Sequence, residues 1–129
     1  KSFLCLSEVG SKDSTELVAP HRWVKQIKAE LKAGSTFVIL EGRESDSSGI
    51  YRESGELRTG LLDEIFDSGI SLDQIIFEAS GKENQVRILK MFGPNVNFGN
   101  IDIINVLPLE TLRLGIRGDT LGFFNYEVN

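Results

Sequence analysis

The sequence has one cysteine, one histidine, one tryptophan and one methionine in 129 residues, and only three prolines. A lone cysteine excludes an intramolecular disulfide framework and suits a reducing cytoplasm. Cys5 lies inside an apolar run and is expected to be a small buried hydrophobe. A lone His21 beside Pro20 removes most catalytic triads and every multi-histidine metal site. There is no GxGxxG and no GxxxxGK[ST], so dinucleotide and P-loop readings have no support. No apolar run approaches the roughly 20 residues of a membrane-spanning helix, and no signal peptide is visible. Positive charge is also scarce: 14 Lys and Arg stand against 19 Asp and Glu, a net charge of −5. With no Lys/Arg cluster, a nucleic-acid-binding surface is not expected.

What is present is a regular alternation. Apolar runs at residues 3–9, 36–41 and 74–79, with a shorter one at 95–98, read as strands. Helical periodicity follows each: residues 22–33, then around Leu57–Phe66, then 85–92, then 108–116. Gly34, Gly69, Gly93 and Gly118 stand where these helices should stop. The whole of residues 1–129 reads as one domain of four βα units with a parallel sheet. Four units suit either a small doubly wound sheet or half of a (β/α)8 barrel, which in full needs roughly 200–250 residues. In both, chemistry gathers at the C-terminal ends of the strands.

Three strands end in a carboxylate: Glu8, Glu41 and Glu78. Taken singly, each reads as well as a solvated strand end. Three at the same end would form a ring facing one cavity, and such a ring needs cations to offset its own repulsion. A hard metal such as Mg²⁺ is one source. Basic residues are another: Lys12 follows Glu8, Arg43 follows Glu41, and Lys82 follows Glu78. Asn95, Asn97 and Asn100 fall around the fourth strand. The arrangement suits an anionic substrate held by both metal and basic groups.

The stretches LSEVGSKD, LEGRES with Gly49-Ile50, IIFEAS with Lys82, GPNVN and LETLRLGIRGDT occur in an order and spacing that resemble the phosphosulfolactate synthase family, over Leu4 to about Thr120. The resemblance implies a (β/α)8 TIM barrel of which this chain is the C-terminal half, strands five to eight. It implies Mg²⁺-dependent addition of sulfite to phosphoenolpyruvate, giving (2R)-phospho-3-sulfolactate, as in coenzyme M biosynthesis. It places Lys12 as the proton donor and Glu8 beside it. Glu41 and Glu78, with Glu8, become candidate metal ligands. Arg43, Lys82, Asn97 and Arg117 become candidate contacts for substrate oxygens, although for Arg117, as for Arg113 on the same expected helix, a structural ion pair with Glu110 or Asp119 reads equally well. Ser80-Gly81 stands where relatives commonly have proline, so that loop is expected to differ in shape. The competing expectation is a non-catalytic barrel relative with a stress-associated or assembly role, in which the glutamate and lysine motifs would be degraded; here they are intact. A half-barrel would expose two strand edges. The expected partners are therefore small-molecule substrates plus either further copies of the chain or a missing N-terminal half.

Overall fold

A computed structural model describes residues 3–11, 18–43 and 48–124. Lys12 lies outside them, and so does the side chain of Arg43. The strands are β1 (Leu6–Val9), β2 (Phe37–Leu40), the two-residue β3 (Gly42–Arg43) and β4 (Ser48–Gly49), β5 (Ile75–Glu78) and β6 (Asn97–Gly99). The helices are α1 (Pro20–Ala33), α2 (Thr59–Asp67), α3 (Lys82–Phe92) and α4 (Val106–Arg113).

The main sheet is parallel throughout, in the order β1-β2-β5-β6, while β3 and β4 pair antiparallel as a small hairpin. Strand order follows chain order without reversal. A doubly wound sheet requires a reversal, so of the two architectures compatible with four units, the structure has the singly wound one. Right-handed crossovers that always advance in one direction place their helices on one face. The burial pattern agrees. Val38, Leu40, Ile75 and Phe77 are wholly buried, whereas Ile39, Ile76 and Glu78, pointing to the other face, are only half-buried.

Each helix meets the sheet through the periodicity read in its sequence. Trp23 and Ile27, one turn apart, are buried under α1. Leu61, Leu62 and Ile65 do the same for α2. Phe77 at the sheet centre stacks on Phe92 at 5.4 Å and meets Phe66 and Phe98 at 6.2 and 6.5 Å. At the end of α1 the amides of Gly34 and Ser35 donate to Leu31 and Glu30 carbonyls, which ends the helix where the glycine predicts.

Several expectations are corrected. Helix α3 begins at Lys82 rather than Gln85. The buried Gln85 side chain donates to the Ala79 and Ser80 carbonyls, so it anchors the first turn instead of preceding it. Helix α4 stops at Arg113 and turns at Leu114-Gly115, so Gly118 is not its cap and Arg117 lies beyond it. Cys5 is exposed, not buried. It directly precedes the edge strand β1, where Phe3, Leu4 and Leu6 are also 90, 65 and 45% exposed. The segment that follows β6, the strand at the opposite edge, carries a second set of exposed apolar residues, with Ile103, Leu107 and Ile116 at 86, 73 and 65%. Among the described residues, no helix is long and apolar enough to cross a membrane.

Candidate functional site: a carboxylate cluster at the strand ends

Parallel register explains how three strands bring their glutamates together. Val38, Ile39 and Leu40 pair with Ile75, Ile76 and Phe77, and continuing that register sets Glu41 beside Glu78. Glu8 pairs with Ile39, which lies two residues before Glu41 and so on the same face. The result is a cluster in which Glu8, Glu41 and Glu78 each offer a carboxylate oxygen, all within 4.8 Å of one another. Glu8 is exposed, Glu78 half-buried, and Glu41 only 3% exposed.

The surrounding main chain is shaped to hold this cluster. The Glu41 amide donates to the Val9 carbonyl at 2.9 Å, and the Glu41 carbonyl accepts from the Ile50 amide at 3.0 Å. The Gly42 amide donates to Glu78 Oε2 at 3.2 Å, and the Tyr51 hydroxyl donates to the Glu78 carbonyl at 2.7 Å. Two glycines leave the room this requires. Gly10 sits beside Glu41 with φ +136°, and a Cβ there would fall 2.6 Å from Glu41 Cβ and 2.7 Å from Trp23 Cη2. Gly49 has φ +72°, and a Cβ there would fall 2.0 Å from the Glu41 carbonyl oxygen.

The cluster suits a hard divalent cation. Oxygens bound to one Mg²⁺ stand at most about 4.2 Å apart, twice the usual metal–oxygen distance. Adjacent ligands of an octahedral ion stand closer, at about 3 Å, so three carboxylates that start within 4.8 Å of one another would have to turn inward to share one ion. All-oxygen carboxylate donors are what such an ion prefers, and no histidine or thiolate competes among them.

The remaining candidates are placed differently. Lys82, at the first turn of α3, donates to both carboxylate oxygens of Asp119, at 3.1 and 3.3 Å. That hydrogen bond first, then the charges of Lys82 and Arg117, hold the Asp119 carboxyl below the usual carboxylate range. So Lys82 is bound to Asp119, and the charge of Arg117 is felt there. Asn97 is not at the carboxylate end. It opens β6, and its Nδ2 donates to the Asp73 and Ile75 carbonyls at the start of β5. The C-terminal end of that strand is Gly99, two residues on; the expected strand at 95–98 was set too early in the sequence.

Sequence reasoning gives no site role to Gly10, Gly42, Gly49, Tyr51 or Arg58. The signal was a glycine within two residues after each of the first two strand-end glutamates, in EVG and EGR. Such glycines mark close backbone approach as readily as turns.

Fold and site together define a singly wound parallel α/β protein with an acidic centre at the C-terminal ends of its strands. The profile of the (2R)-phospho-3-sulfolactate synthase family matches residues 1–119. The chain is 45% identical over 121 residues to the phosphosulfolactate synthase of Bacillus subtilis, covering 92% of this chain and 48% of that protein. It is 42% identical over 128 residues to that of Methanothermobacter thermautotrophicus, covering 97 and 49% of the two. Against the protein of that name from Methanocaldococcus jannaschii, identity is 39% over 123 residues, covering 93 and 49%. The chain belongs to the phosphosulfolactate synthase family, and it spans about half the length of these relatives.

Proposed function

We propose that this chain is part of an enzyme that adds sulfite to phosphoenolpyruvate, giving (2R)-phospho-3-sulfolactate, with Mg²⁺ held by Glu8, Glu41 and Glu78. The observation supporting it most directly is the convergence of those three carboxylates at one strand end in a member of this family. A bound Mg²⁺ would supply positive charge opposite the substrate carboxylate.

In the proposed reaction the sulfite sulfur bonds to C3 of phosphoenolpyruvate. The double-bond electrons move toward C2 and its carboxylate, forming an aci-carboxylate. The Lys12 ammonium then delivers its proton to C2. Arg43, which follows Glu41 directly after Gly42, is the nearest basic residue in sequence for the sulfite or phosphate oxygens. Lys82, bonded to Asp119, and Arg117, whose charge is felt there, are further basic groups available to the phosphate. Asn97 has no part in this scheme.

The exposed apolar residues at the β1 edge and in the segment after β6 fit a protein in which further βα units continue the sheet on both sides. Relatives twice as long have room for four such units, and closure as a (β/α)8 barrel would cover both edges. Small anionic substrates and a free thiol suit the cytoplasm.

The test is a chimera in which this sequence replaces the matching stretch of the Bacillus subtilis relative. It is expected to form phosphosulfolactate from phosphoenolpyruvate and sulfite with Mg²⁺. Lys12→Ala in that chimera should reduce kcat by roughly 10³-fold with the fold intact. Full activity in that variant would remove Lys12 as the proton donor. A folded chimera with no product would overturn the enzymatic reading in favour of a non-catalytic relative.

A further inference from the structure

We propose that Arg58 is a positioning residue for the carboxylate cluster: its guanidinium clamps the β3–β4 hairpin and thereby sets the spacing of Glu41 and Glu78. The inference rests on the reading of that cluster as the functional site.

Arg58 immediately precedes α2 and is only 9% exposed. One terminal nitrogen donates to the Gly49 carbonyl at 3.0 Å, and the other to the Val18 carbonyl, also at 3.0 Å. Burying a guanidinium is costly, and here it is bonded to main-chain carbonyls rather than to a carboxylate. Burial and the charge of Arg52 both work against its protonated form. Arginine remains charged regardless, so the cost stays with the fold.

What that cost secures is visible in the next contacts. The main chain of Arg58 grips the same hairpin, its amide donating to the Ile50 carbonyl at 2.8 Å. Ile50 in turn donates its amide to the Glu41 carbonyl, against which Gly49 is packed without room for a Cβ. Gly42, the register partner of Gly49, gives its amide to Glu78 Oε2. Moving Gly49 therefore moves the supports of both glutamates together. The second arm, on Val18, fixes the end of the connection between β1 and α1, the connection that begins just past Glu8. One side chain thus ties the connections that follow two of the three glutamate-bearing strands. The planar fork of arginine can span two carbonyls at once, whereas the ammonium of lysine is a single point of charge.

The experiment measures Mn²⁺ affinity by calorimetry and amide hydrogen exchange on the same samples of wild type, Arg58→Met and Arg58→Lys. Arg58→Met should weaken Mn²⁺ binding by roughly 10- to 100-fold, the range for groups that orient metal ligands. Arg58→Lys should recover part of that loss. The Gly42 and Ile50 amides should exchange faster in Arg58→Met while those of Leu40 and Phe77 keep wild-type protection. Unchanged exchange at Gly42 and Ile50 would overturn the proposal, as would unchanged affinity in a wild type that binds. If wild type binds no Mn²⁺, the metal reading fails and exchange alone decides the role of Arg58. If Arg58→Met does not fold, Arg58→Lys carries the test, with faster Gly42 and Ile50 exchange expected and wild-type exchange overturning the clamp.

Discussion

Glu41→Gln is expected to lower the affinity of the strand-end cluster for Mn²⁺ or Mg²⁺ by about 100-fold or more, with little change in thermal stability. Even groups that only orient a ligand contribute 10- to 100-fold to metal affinity, and a direct ligand should reach at least the upper end. Glu41 should matter most of the three because it is the buried one, at 3% exposure. Its charge is poorly screened by water, so its attraction for a cation is strongest. Its position is also the most constrained, fixed through Val9, Ile50 and the glycines on either side. Glutamine keeps the shape and one oxygen, so packing against Gly10 survives. Glu8→Gln, at an exposed position, should cost less. Calorimetric titration of the two variants checks the order. Equal losses, or a Glu41→Gln variant that binds like wild type, would count against a site organised around Glu41.

Gly49→Ala should be the most damaging single-methyl change, destabilising the fold by about 3–4 kcal/mol. Two costs add. A side chain at φ +72° occupies the left-handed region, at about 1–3 kcal/mol. The new Cβ would also lie 2.0 Å from the Glu41 carbonyl oxygen, so main chain must move, for roughly 1–3 kcal/mol more. Gly55→Ala separates the two costs. Gly55 has φ +78° but nothing within 4 Å of the added atom, so only the first applies. Denaturant unfolding of both variants measures the difference. Equal losses would mean that the hairpin yields freely and that the close approach at Glu41 has no energetic weight.

The sequence made the βα alternation and the carboxylate cluster legible for one reason. Parallel strands under helices repeat one pattern, and a carboxylate ending an apolar run interrupts it. Glu8, Glu41 and Glu78 stand out by that contrast and do meet. Asn97 was misplaced because NVNF alternates polar and apolar residues and does not mark its own ends; two residues of slip exchanged one end of β6 for the other. Cys5 was misjudged because an apolar run says nothing about whether a neighbour covers it. Its exposure follows from β1 being an edge, which is a property of the sheet and not of the run. Arg58 was invisible for a different reason. Its partners are carbonyls, which every residue has, so no spacing of side chains announces it.

The packing of Trp23 against Gly10 makes the site observable by light. Trp23 is the only tryptophan in the chain, so its emission comes from one place. The indole is fully buried, and its ring edge occupies the space that Gly10 leaves beside Glu41. A cation that draws Glu41 toward Glu8 and Glu78 must disturb that contact. The free protein should therefore emit at the short wavelengths of a dry indole, and titration with Mg²⁺ should change the intensity with a midpoint matching calorimetry. In Glu41→Gln the optical response should vanish together with the heat. An emission that stays constant while heat shows binding would mean that the ion enters without moving the wall that Gly10 and Trp23 share.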